Sequence, residues 1–172
     1  MTLHAVTVVG HDRPGIIAEV TGRLAALGGN LEDSTMTLLR GHFAMTLLVD
    51  ADASPEAVEA ALAPITADGS LLVSVRSVTD EPGAGQEGSG YVLSVHGADQ
   101  PGIVSAITSV LARRDGNITD LTTRLTGPLY VLVAEVDLPG GVDLAAVQAD
   151  LREMSASLGV EASLRAADPD LL

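Results

Sequence analysis

A chain of 172 residues with 47% hydrophobic side chains can bury one ordinary core or two small ones, but with only 2% aromatics that core is built from Val, Leu, Ile and Ala. A net charge of −14 repels nucleic-acid phosphates, and the absence of cysteine removes disulfides, thiolate catalysis and Cys-ligated zinc. No apolar run approaches the roughly 20 residues needed to cross a bilayer, and Thr2-Leu3-His4-Ala5 offers no basic segment ahead of an apolar one, so the expectation is no signal peptide, no membrane contact and a cytoplasmic location.

Residues 2–9 are rich in β-branched side chains and end at Gly10, which predicts a strand. Gly10-His11-Asp12-Arg13-Pro14-Gly15-Ile16-Ile17 then reads as a tight turn entering a helix, with Pro14 at the first helical position, where its missing N–H is tolerated. Ile16, Ile17, Val20, Leu24 and Leu27 recur at helical spacing and Gly28-Gly29 stops the run. Strands are predicted over 31–39 and 43–50, joined by a hairpin at Arg40-Gly41-His42. Ser54-Pro55-Glu56 opens a second helix carrying Val58, Leu62 and Ile65, with Pro64 ending or distorting it. Alternation over Leu71, Val73 and Val75 gives a fourth strand, so residues 1–79 form one β-α-β-β-α-β domain.

Residues 80–90 have almost nothing to bury and read as a flexible linker. The same order then returns over 91–167, before a short tail at 168–172. It runs as a strand at 91–95, a helix from Pro101 to about Arg114, strands over 118–125 and 129–138, a helix capped by Asp143, and a last strand through Val160, Ala162 and Leu164. Arg113-Arg114 are placed to meet the dipole of their helix end. A shift of 87 residues aligns Val8–Asp50 with Val95–Asp137 without a gap, and roughly a third of the positions are identical. Gly10/Gly97, Asp12/Asp99, Pro14/Pro101, Gly15/Gly102, Ile16/Ile103, Gly29/Gly116 and Asn30/Asn117 are among them.

Two such units, each with an Asp-x-Pro-Gly-Ile turn and a Gly-Asn fifteen residues later, resemble the ACT domain, a ferredoxin-like module that binds amino acids in regulatory proteins. A pair with no attached enzyme is most similar to the glycine cleavage system transcriptional repressor group. The resemblance implies an α+β fold of two tandem sandwiches, each an antiparallel four-stranded sheet with both helices on one face. It implies pairing of the halves and a homodimer. It also implies that ligand contacts come from the turn and from the Asn, often across a domain interface. The candidate residues are then Asp12, Arg13, Gly15, Ile16 and Asn30 in the first half, and Asp99, Gln100, Gly102, Ile103 and Asn117 in the second. Some amino-acid-binding members carry His where Gly10 and Gly97 stand, so a contact those members use is not supplied here.

The chemistry suits a zwitterion. Helix-start N–H groups meet a carboxylate, Asp12 or Asp99 meets an ammonium, and an Asn side chain both donates and accepts. The competing reading is structural: Asp12 and Asp99 cap helices, and Asn30 and Asn117 hold left-handed turns. His4, His11, His42 and His96 lack zinc-ligand spacing, and no nucleophile, metalloprotease or phosphate-loop motif occurs. No enzyme activity, metal or cofactor is therefore expected. The function that follows is an amino-acid sensor acting through a protein partner without touching nucleic acid. The alternatives are a ligand-free interaction module or an accessory regulatory subunit of an amino-acid or one-carbon enzyme.

Overall fold

The computed structural model describes residues 2–79 and 88–167, and the chain divides into two compact units, Met1–Pro82 and Gly83–Leu172. The first contains β1 (Thr2–His11), α1 (Ile16–Ala26), β2 (Asn30–Leu39), β3 (His42–Ala51), α2 (Pro55–Leu62) and β4 (Leu71–Ser77). The second contains β5 (Gly88–Ala98), α3 (Ile103–Ala112), β6 (Asn117–Thr126), β7 (Leu129–Pro139), α4 (Leu144–Leu158) and β8 (Val160–Ala166). The sheets run β2-β3-β1-β4 and β6-β7-β5-β8, antiparallel throughout. Each unit is thus the expected ferredoxin-like sandwich, with its first strand interior. No described helix is long and apolar enough to cross a membrane.

Strand alternation puts one face of each sheet under the helices. Val6, Val8, Phe43, Met45, Leu47 and Val49 close on Ile16, Val20 and Leu24 of α1 and Val58 and Leu62 of α2. The second core uses Leu93, Val95, Leu132, Ala134 and Val136 against Ile103, Ile107, Val110, Val147 and Leu151, with Tyr91 and Tyr130 packed at its margin. Among the described residues, His4 is the one charged-type side chain wholly inside the first core. Its Nε2–H donates to the Ala53 carbonyl at 3.0 Å, tying the start of β1 to the loop before α2. Ser54 caps α2 by accepting from the Ala57 N–H, and Asp143 caps α4 through the Ala146 N–H, both as the sequence predicts. Register shifts at Leu31/Asp33 and Ile118/Asp120 place a bulge at the same point of β2 and β6, so the duplication extends to an irregularity of the ladder.

One expected boundary needs correction. Gly88, Ser89 and Gly90 pair with Pro139, Leu138 and Asp137 as part of β5, because β7 is long enough to extend the ladder past Tyr91. The rest of the expected linker, and the tail at 168–172, lie outside the described residues. Pro64 does end the second helix as expected, standing in a short 3-10 turn, Ala63–Thr66, after α2 has closed at Leu62. Arg114, just past the end of α3, has a partner the sequence did not announce; its Nε and an Nη donate to Asp150 at 3.1 and 2.6 Å and tether α3 to α4.

Candidate functional site

The turn entering α1 is set by two residues with opposite backbone demands. Proline fixes φ near −65°, and Gly15 follows with φ 91° and ψ −4°, the pairing a type II turn requires at its central positions. Gly102 repeats it at φ 94° and ψ −5°. Both prolines therefore precede the helix rather than opening it, since a left-handed glycine stands between each and the first helical residue. A Cβ at Gly15 or Gly102 would meet nothing within 4 Å. Glycine is there for the sign of φ, and the space in front of it is open.

Gly10 and Gly97 are constrained in the opposite sense. A Cβ on Gly10 would stand 2.0 Å from the Ser70 carbonyl oxygen and 2.8 Å from the Leu71 Cα. One on Gly97 would meet Val160 Cγ1 at 2.8 Å. No imidazole fits at either place, which gives a physical reason for the departure seen in the sequence.

Asp12 is exposed, and its backbone N–H donates to the Gly41 carbonyl at 3.0 Å, joining the turn to the β2–β3 hairpin. No side chain caps α1 or α3. The first intrahelical bonds are Glu19 N–H to Gly15 and Ala106 N–H to Gly102, which leaves the N–H groups of Ile16–Ala18 and Ile103–Ser105 without a helical partner. The capping role for Asp12 and Asp99 is thereby excluded. Asn30 and Asn117 are exposed first residues of β2 and β6; among the described residues the left-handed non-glycine positions are instead Arg40 and Asp115. The structural reading of both pairs fails, and their side chains have no hydrogen-bond partner among the described residues.

Arg13 and Gln100 are already engaged. Arg13 donates to Glu19 at 2.9 Å, and Glu19 also lies 3.5 Å from Arg23. The Arg13 hydrogen bond is the main reason the Glu19 carboxyl is held below the usual carboxylate range. Asp68, in the loop before β4, is lowered chiefly by hydrogen bonds from the Ser70 hydroxyl and N–H, with Arg13 adding a smaller attraction. In the second unit Ala106 replaces Glu19, and Gln100 instead donates to the Leu158 carbonyl at the end of α4. Ile16 and Ile103 are core side chains, each 2% exposed, so only their N–H groups can face a ligand.

Within one unit the turn and the asparagine do not meet. Asn30 pairs across with Asp50, which pairs with Leu3 at the start of β1, while Asp12 follows that strand's far end. Nine residues of strand separate the two levels by on the order of 30 Å. Asn117, level with Asp137 and Gly90, stands equally far from Asp99. Two grooves, of about 330 Å³ beside Glu59, Thr66 and Val73 and about 170 Å³ beside Gln148, Arg152 and Ser163, are lined by none of the ten candidate residues.

Residues that sequence spacing did not single out also shape the turn. Ser70 accepts from the His11 N–H at 3.0 Å, and the His11 and His42 rings lie 5.2 Å apart across β1 and β3. Only strand pairing brings these histidines together, so no local motif announces them.

The fold and these turns can be set beside known proteins. The chain is 24% identical over 166 residues to the glycine cleavage system transcriptional repressor of Escherichia coli, covering 92% of this chain and 87% of that one. A UPF0237 protein of Methanopyrus kandleri is 52% identical over 50 residues, and the match spans 29% of this chain and 56% of that relative's length. Among solved structures, an unknown protein from Galdieria sulphuraria superposes with a TM-score of 0.81 at 30% identity, covering 97% of this chain and 99% of that one. A structure provisionally assigned as a glycine cleavage system transcriptional repressor shares the fold, with a TM-score of 0.72 at 20% identity over 97% of this chain and 98% of that one. The ACT domain family profile matches residues 4–76 and 91–165. The chain belongs to the ACT domain family and carries the domain twice.

Proposed function

We propose that this protein is a regulatory amino-acid sensor acting through a protein partner, in the manner of a glycine-cleavage-type regulator of transcription. The observation that carries the reading is the turn itself. In both units an exposed Asp whose side chain has no hydrogen-bond partner among the described residues stands beside helix-start N–H groups that no side chain caps. A carboxylate next to free N–H donors is complementary to an ammonium next to a carboxylate. The ligand's carboxylate lies against the N–H groups after Pro14 or Pro101, and its ammonium against Asp12 or Asp99. Because Asn30 and Asn117 sit at the opposite end of their own units, they contact ligand only at a turn supplied by another module. Arg13 and Gln100 hold the turn rather than the ligand, through Glu19 and the Leu158 carbonyl.

Titration of the protein with the common amino acids, glycine among them, tests this. Asp12→Ala removes a charged partner and is expected to weaken binding about ten- to a hundred-fold, from a loss of roughly 1.5–3 kcal/mol. As Asp12 caps nothing, the same variant should keep wild-type stability within about 0.5 kcal/mol. Asn30→Ala should weaken binding as well. Wild-type affinity in both variants for a ligand that does bind would place the site elsewhere, and no binding at all would favour a ligand-free interaction module.

A further inference from the structure

We propose that His11 and His42 form a two-imidazole site for a late first-row divalent metal ion, of the zinc(II) class, in the first unit only. The two residues are direct cross-strand partners at the last position of β1 and the first of β3. Their ring centroids are 5.2 Å apart with planes inclined at 34°. A zinc-class ion bonded to one nitrogen of each ring at about 2.0–2.1 Å, with a near-tetrahedral angle between the bonds, sets the centroids roughly 5 Å apart. The spacing of the free side chains is thus already that of a shared ion.

The backbone beneath the pair is held from three sides. The hairpin turn Arg40-Gly41 has positive φ at both residues, 51° and 85°, the form that keeps a two-residue hairpin tight. The His11 N–H is bonded to Ser70 and the Asp12 N–H to Gly41. Neither ring has a hydrogen-bond partner among the described residues, and both are exposed, so nothing must be broken to admit an ion. The fold does not require the pair: the second unit builds the same corner with Ala98 opposite Leu129. Among the described residues no third His, Asp or Glu completes a ready-made cluster, so water fills the remaining positions. Neutral imidazole selects zinc, nickel or copper over magnesium and calcium, which prefer oxygen ligands. The overall charge of −14 concentrates cations of every kind around the chain, so selectivity rather than mere binding is the signature.

The test is calorimetric titration of the whole protein with zinc(II), with magnesium(II) as the oxygen-seeking control, and no amino acid present, so its result is independent of the sensor reading. One zinc per chain is expected, unaffected by equimolar magnesium, with NMR shifts confined to the His11 and His42 imidazoles and absent at His4 and His96. His11→Ala and His42→Leu introduce the residues the second unit already carries at these places, so both should fold. Each should lower zinc affinity more than tenfold, while His96→Ala, which removes the other exposed imidazole beside a carboxylate, Glu161 at 3.2 Å, should leave it unchanged. The proposal is overturned if either corner variant keeps wild-type affinity, if His96→Ala abolishes binding, or if magnesium competes on equal terms.

Discussion

Glycines at equivalent-looking places in the turn are there for different reasons, and substitution separates them. Gly15→Ala meets no neighbour but must hold φ 91°, and should cost about 1–2 kcal/mol. Gly10→Ala pushes a methyl into the Ser70 carbonyl, a backbone atom that cannot step aside without opening the β1–β4 ladder, and should cost more than about 3 kcal/mol. Gly97→Ala faces a Val160 methyl first and should fall between them. Urea midpoints for the three variants give the order. The Pro-Gly pair was readable in the sequence as a turn, but not its place relative to the helix, because proline suits both a first helical position and the second position of a turn. The role of Gly10 was not readable at all, since it depends on a carbonyl sixty residues away. At the same corner, Arg13→Ala should return the Glu19 carboxyl toward its ordinary value of 4.5, as followed by NMR titration. A carboxylate with a lowered folded-state pKa stabilises the fold above its unfolded value and loses that contribution as pH falls through the folded one. The wild-type advantage over this variant should therefore be present at neutral pH and disappear as pH falls through the lowered folded-state value of Glu19. It is small, since both partners are exposed by a third or more.

The elements themselves follow from apolar periodicity and capping residues, which is why each helix and strand was legible and only the ends moved. What periodicity conceals is how far the helices reach. Met36 and Leu38 alternate as a buried strand would and lie on the helix side of the sheet opposite Met45 and Phe43, yet they remain 44% and 46% exposed. Leu121 and Leu125 repeat this in β6, at 38% and 43%. The other edge of each sheet is guarded. Glu59 accepts from the outward Val75 N–H of β4, and Gln148 donates to the outward Leu164 carbonyl of β8, each at 3.3 Å. An edge blunted by side chains resists pairing, whereas one left open with apolar neighbours invites it. Association of this protein is therefore expected through β2 and β6. Met36→Lys with Leu38→Lys should shift it toward smaller species in sedimentation analysis while leaving the first core intact; an unchanged profile would place the contact elsewhere.

At the scale of the whole chain, the repeat was the most legible feature, because a gap-free shift of 87 residues needs no structural knowledge to detect. Of the candidate site, the sequence names the turns and the asparagines, but their distance apart within a unit emerges only from strand direction. The charge of −14 bears on function at this scale too. The purified protein is expected to give no mobility shift with DNA at physiological salt, so any effect on transcription would run through another protein; a salt-resistant shift would contradict this.

The distribution of aromatic residues gives the molecule an optical asymmetry. The chain has no tryptophan and only two tyrosines, Tyr91 and Tyr130, both packed against the second core. Tyrosine emission therefore reports on one half of the protein alone, while circular dichroism of the backbone reports on both. Overlaying the two signals along one urea titration measures whether the halves unfold together, with no label and no substitution. Coincident curves mean a single cooperative unit, and separated curves give each half its own midpoint.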